Sequence, residues 1–194
     1  MAKLFTVTVG SRAYSFHDQS TLTPFNYARG TIKGVEGNIS YAAHGLSLYG
    51  NLAYAKAQGT NIVSSQFNFD PADLATIARQ SIYLDHDQTW TGSAGASYRI
   101  EQGFLKASRI GASMLYGSGL RRDGDVPNGA KLPPYAVFNL TASHAFAGAG
   151  IEIRADVINV ADHVYEIRDG SGVGVGAPQF GARRGFLFGI SKTI

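Results

Sequence analysis

The chain contains no cysteine, which excludes disulfides, thiol catalysis and cysteine-ligated metal. Charge is also scarce: Asp, Glu, Lys and Arg make up 16% of the residues, against roughly 25% in typical globular chains. No stretch approaches the ~20 consecutive apolar residues of a membrane-spanning helix, so a helical membrane protein is excluded. The first ten residues, Met1 to Gly10, carry one lysine and then alternate apolar residues with threonine. That is not the continuous apolar core of a signal peptide. The missing charge is replaced largely by glycine, 24 in 194 residues, together with Ser, Thr, Asn and aromatic side chains. Hydrophobic residues at 44% and a net charge of only +3 exclude wholesale disorder and give a slight bias toward anionic partners. The length suits one domain.

A period of two recurs along the chain. Ile151, Ile153, Ala155 and Val157 alternate with Glu152, Arg154 and Asp156, and Leu46, Leu48, Leu52 and Tyr54 oppose Ser47, Tyr49 and Asn51. Trp90, Ala94, Ala96 and Tyr98 oppose Thr91, Ser93, Gly95, Ser97 and Arg99, while Phe186, Phe188 and Ile190 share one face of the last segment. Eight strands are expected, over 4–16, 30–43, 45–57, 88–101, 104–119, 134–147, 150–160 and 184–194, with a bulge at Lys106–Arg109 where the phase breaks. At roughly 11 to 16 residues they are about twice the usual strand length.

Tight glycine-bearing turns at 43–45, 101–103 and 147–150 alternate with long connectors at 17–29, 58–87, 120–133 and 161–183. Strict alternation of short and long links is the habit of an outer-membrane antiparallel barrel, with short turns on one side and long loops on the other. One helix is expected over 71–83, capped by Asp70, started by Pro71 and striped by Leu74, Ile77, Ala78 and Ile82.

Alternation alone fits a soluble barrel as well, so other features decide. The strands exceed the ~9–11 residues needed to cross a hydrocarbon layer at a tilt. Aromatic residues cluster near strand ends (Tyr41, Tyr54, Trp90, Tyr98, Tyr116, Tyr135, Phe146 and Phe186), as the two headgroup levels favour. The polar face is built of small residues, which would leave voids in a closed eight-stranded barrel and suit the wall of a wider one. The fold class is therefore all-β: an antiparallel transmembrane barrel segment of about eight long strands, a partial barrel or open curved sheet.

Four pieces then add a resemblance. Lys33-Gly34-Val35-Glu36 leads into an alternating strand, Leu132-Pro133-Pro134-Tyr135 precedes Asn139-Leu140, Val157-Ile158-Asn159-Val160-Ala161-Asp162 precedes Tyr165, and Pro178-Gln179-Phe180-Gly181-Ala182-Arg183-Arg184 runs into the final strand. In order and spacing the chain resembles the C-terminal barrel portion of TonB-dependent outer-membrane receptors. Ala182 stands where the family often has proline, and Ile194 where it often ends in an aromatic residue. The resemblance implies a Gram-negative outer-membrane transport protein for ferric siderophore or another scarce nutrient, with TonB acting only through a plug domain. Residues 1–194 are read as barrel alone, without plug or signal peptide, a fragment not active by itself. The alternatives are a free-standing small outer-membrane barrel with a structural or adhesive role, and a soluble lipocalin-like binder.

Inward-facing residues expected to meet ligand or plug are Glu36, Asn38, Asn51, Arg99, Glu152, Arg154 and Asp156, with mutual salt bridges as the competing role. A basic rim toward lipopolysaccharide phosphates is expected from Arg29, Lys33, Arg121, Arg122, Arg183 and Arg184. The Gly170–Gly176 run lacks the following helix of a phosphate-binding loop. Asp85-His86-Asp87 reads as a solvated strand start, because adjacent residues on a strand diverge. No nucleophile motif or metal-ligand pairing occurs, so no catalytic residue, metal, cofactor or nucleic-acid partner is expected.

Overall fold

The computed structural model describes residues 5–8, 23–63, 71–85, 87–170 and 177–193. In chain order the elements are β1 (Phe5–Thr8), β2 (Thr23–Ala43), β3 (Leu46–Ile62), α1 (Pro71–Arg79), β4 (Ile82–Tyr83), β5 (Trp90–Arg99), β6 (Ser108–Gly117), β7 (Arg121–Arg122), β8 (Ala130–Lys131), β9 (Tyr135–Phe146), β10 (Ile151–Ile158), β11 (Glu166–Arg168), β12 (Gln179–Phe180) and β13 (Gly185–Lys192). One sheet runs β1-β2-β3-β5-β6-β9-β10-β13, with β4 added against β3; β7–β8 and β11–β12 are separate small ribbons. Every pairing is antiparallel, and among the described residues none joins β13 back to β1 or β2. The sheet is an open wall.

Local chemistry sets the hairpins. His44 and Gly45 both adopt positive φ, 49° and 78°, the conformation that lets a two-residue turn follow the strand twist. Gly150, at φ 62°, closes the turn from β9 to β10. The link from β5 to β6 differs from the expected turn at 101–103. It occupies 100–107, with the Ala107 N–H donating to the Ile100 carbonyl and the Ser108 N–H to Leu105. The break of phase at Lys106–Arg109 is thus a turn that ends on Ala107 at φ 70°, not a bulge inside a strand.

The β2–β3 hairpin is longer than its alternation suggested, pairing from Ala43↔Leu46 out to Tyr27↔Ile62. Gly59, read as loop, lies within β3: a Cβ there would stand 2.6 Å from Tyr27 ring carbons, so the ring needs the bare backbone. The expected 4–16 strand is described only at Phe5–Thr8, where it pairs with Thr23–Asn26; the rest of that expectation lies outside the described residues. The helix is shorter than expected. It stops at Arg79, and Ile82, assigned to its apolar stripe, instead pairs with Gly59 in β4. The proposed cap Asp70 lies outside the described residues.

Among the described residues, apolar packing is confined to one end. The buried apolar residues are Ile77, Ile82, Leu84, Leu132 and Val137, all at the loop end, where α1, β4 and the β7–β8 ribbon meet the sheet. Along the sheet no described residue covers the apolar face. Val35, Ile39, Ile110, Ile153, Phe186 and Ile190 are all exposed, and Phe188 is 83% exposed. A soluble barrel would bury such residues in a closed, dry centre; here they lie open.

Candidate functional site

The register sorts the side chains into two faces. Across the sheet, Tyr49, Gly95, Ser113 and Asn139 form one continuous row, and Ser47, Ser97, Gly111, Thr141, Asp156 and Leu187 form the next. Apolar rows alternate with these, Tyr41-Leu48-Ala96-Ala112-Leu140-Val157-Phe186 between the two and Ala43-Leu46-Tyr98-Ile110-Ala142-Ala155-Phe188 beyond the second. A hollow of about 600 Å³ lies over the hydrophilic rows, lined among others by Tyr49, Ser97, Ser113, Thr141, Arg154 and Asp156. The sheet therefore curves with its hydroxyl-rich face inward.

Short cross-strand contacts tie that inner face together. Ser93 Oγ donates to Asn51 Oδ1 at 3.0 Å, and Asn139 Nδ2 to Ser113 Oγ at 3.3 Å. Tyr49 lies across Gly95, where a Cβ would collide with its ring. Arg154 and Asp156 form a two-pronged ion pair at 2.8–3.0 Å. The two amide–hydroxyl contacts cost little to make, because donor and acceptor sit opposite each other in register, whereas Arg154 and Asp156 are neighbours along the one face of β10.

All seven residues expected to face inward (Glu36, Asn38, Asn51, Arg99, Glu152, Arg154 and Asp156) fall on this one face. They are spread from β2 to β10 rather than gathered; only Arg154 and Asp156 border the hollow. Glu36 accepts a bond from Asn38 Nδ2 at 3.4 Å. One residue escaped the sequence reading. Arg109 stands directly opposite Arg99 on the inner face, and its guanidinium donates to Ser97 Oγ. The apparent break of phase around it concealed its direction.

On the outer face, Tyr41, Tyr98 and Phe146 lie toward the short turns, and Tyr54, Trp90, Tyr116 and Phe186 toward the loops. Tyr54 and Trp90 touch, with ring centroids 4.9 Å apart. These are two aromatic levels with aliphatic residues between, the pattern that suits a membrane with two interfaces. Tyr135 is a correction: it pairs with Gly117 on the inner face and stacks on Tyr165 at 4.7 Å.

The six rim cations separate. Arg29 and Lys33 stand exposed on the outer face of β2, and Arg122 is exposed on β7. Arg121 is 8% exposed and cannot serve as a rim cation. Its Nε donates to Asp87 at 3.3 Å, its Nη2 to Thr89, and its guanidinium carbon lies 3.3 Å from the centre of the Tyr83 ring. Asp87 is likewise buried, accepting from the Ala57 N–H at 2.8 Å, so the solvated reading is corrected at Asp87, while His86 lies outside the described residues. Asp87 is buried here because Arg121 of β7 and the Ala57 backbone of β3 close on its carboxylate.

Arg183 belongs to a clamp on the link between β10 and β13. Its guanidinium grips Asp162 through two bonds, and the Arg184 N–H donates to the same carboxylate at 3.0 Å. These donors hold the Asp162 carboxyl well below the ordinary carboxylate range. A depressed folded-state pKa stabilises above the unfolded value and loses that effect as pH falls through the folded one. The difference in thermal unfolding between wild type and D162N is therefore expected to stay constant from pH 7 to 5 and to shrink below ~4. Deeper in the link, Asn159 is 2% exposed at φ 48°. Its Nδ2 donates to the carbonyls of His163 and Ala182, its Oδ1 accepts from the His163 N–H, and its own N–H donates to Asn139 Oδ1.

An antiparallel wall with a bare apolar face, two aromatic levels and a concave hydrophilic face is a segment of an outer-membrane β-barrel. The family model described as TonB dependent receptor-like, beta-barrel, matches residues 4–160, and the chain belongs to that family. The family consists of outer-membrane receptors and transporters rather than enzymes. A search of curated proteins found no match to the chain.

Proposed function

We propose that the chain forms the C-terminal wall of a receptor that takes up a ferric siderophore or a comparable scarce anionic chelate, and that it is inactive without the remaining barrel and a plug. The observation that carries this reading is the division of the sheet into an uncovered apolar face and a concave hydroxyl-rich one, within a family of receptors. Among the described residues, the edges of β13 and of β2 beyond Asn26 have no strand partner, which supports the need for further strands, since open edges invite association. An anionic cargo is supported by Arg99 and Arg109, which face each other on the inner wall; among the described residues no ion pair engages either. Guanidinium pairs hold carboxylate and hydroxamate-type oxygens through paired N–H donors.

The test is uptake of radiolabelled ferric chelates by a receptor-deficient strain carrying the full-length gene. Uptake is expected to need the full-length protein and TonB, and R99Q/R109Q is expected to lower it about tenfold at unchanged surface level, the loss of one or two charge-assisted bonds. Uptake by residues 1–194 alone would overturn the fragment reading. Indifference of every ferric chelate to the receptor would overturn the cargo.

A further inference from the structure

We propose that Lys33 and Lys56, with Arg29 beyond them, form a binding site for a phosphate of a lipopolysaccharide headgroup on the outer face of the β2–β3 hairpin. The inference rests on the reading of that face as lipid-facing, and adds to it a specific ligand group and a residue, Lys56, that the sequence did not single out.

Lys33 and Lys56 are direct cross-strand partners. Like charges placed opposite each other destabilise a sheet unless an anion lies between them. Among the described residues no ion pair supplies one. Asp87, near in sequence to the packed ring of Tyr83, is buried and committed to Arg121 and the Ala57 N–H. Asp85 acts on Tyr27, farther along β2. The Lys56 ammonium leans over the Tyr83 ring at 5.2 Å, which fixes its stem without neutralising its charge. Arg29, four residues along β2 and on the same face, extends the positive strip, and Thr31 between them adds a hydroxyl.

Depth selects the source of the anion. The next outer-face row toward the membrane centre is Val35-Tyr54-Trp90, an exposed valine beside the touching aromatic pair. Aromatic rings of this kind settle at the headgroup level. The lysines stand two residues further out along each strand, about 7 Å, where lipid phosphates lie. Their alkyl stems can run along apolar surface while the ammonium groups reach the phosphate, which lysine binds as a point charge. A free phosphate ion would have no use for that row of apolar residues beneath it.

The experiment is native mass spectrometry of the full-length protein in detergent, with three probes: bisphosphorylated lipid A, the same lipid A dephosphorylated, and inorganic phosphate. Wild type is expected to retain the bisphosphorylated lipid about thirtyfold more tightly than K33Q/K56Q, roughly fivefold for each lysine. The dephosphorylated lipid is expected to bind both proteins alike. K33E, which creates an opposite-charge pair with Lys56, is expected to raise the unfolding temperature in lipid-free detergent and to lose the preference for phosphorylated lipid. Equal retention of the two lipids by wild type, or a preference that survives in K33E, would overturn the site. A lysine-dependent response to inorganic phosphate alone would assign the anion to solution rather than to lipid, and overturn it as stated. Failure of wild type to hold either lipid would instead count against the lipid-facing orientation of the sheet.

Discussion

Replacing Asn159 with alanine is expected to destabilise the folded barrel by about 3–5 kcal/mol. The side chain, itself 2% exposed, satisfies three backbone groups, the N–H and carbonyl of His163 and the carbonyl of Ala182, and removing it leaves all three without that partner. Each orphaned group costs roughly 1 kcal/mol or more. Alanine at φ 48° adds about 1 kcal/mol of backbone strain, which glycine would not. N159G therefore separates the two contributions: it should retain the hydrogen-bond loss and lose the strain. Heat-modifiable gel migration and urea unfolding of the full-length receptor in detergent give the measurement. A cost under 1 kcal/mol for N159A would mean that the β10–β13 link is held by other means.

The second large effect is expected at Asp87 and Arg121. Their side chains are 2% and 5% exposed, so removing one partner leaves the other charge buried without a counter-ion. D87A or R121A is expected to cost about 3–5 kcal/mol, the range found for breaking buried pairs. The double variant D87L/R121M removes both charges and should recover much of that loss. It cannot recover all of it, because Asp87 also accepts the Ala57 N–H and Arg121 also covers Tyr83. If the double variant is as unstable as the sum of the singles, the pair is not acting as a unit. The same unfolding assay reads all three proteins.

The sheet itself was legible because a membrane imposes its polarity on every second residue. Ile151, Ile153 and Val157 against Glu152, Arg154 and Asp156 needed no knowledge of the partner strands, and the register keeps the two sets on opposite faces. What depended on distant partners was not legible. Asp87 meets Arg121 across 34 residues of chain, and only the fold shows that both side chains are buried. Tyr135 looked like an interfacial ring by its place near a strand end, yet its phase turns it inward, where Gly117 leaves room for it. The helix overran for a related reason: Ile82 continues the helical stripe in sequence, but β3 offers its backbone a strand partner at Gly59. Among the inner-face residues, Arg109 was hidden behind a turn that resembled a disturbed strand. Alternation gave the faces; only the register shows which residues meet.

The strands are unequal in height. β2 and β3 run for 21 and 17 residues, whereas β10 and β13 have 8 each. At ~3.4 Å per residue, nine extra residues add roughly 30 Å along a strand, and about 20 Å of elevation at a 45° tilt. The mouth of this wall is therefore oblique, with a parapet on one flank and a low sill on the other. If the wall serves the uptake proposed above, a bulky cargo is expected to meet the parapet as a backstop and to cross the sill, where the Asn159 and Asp162 links form the threshold.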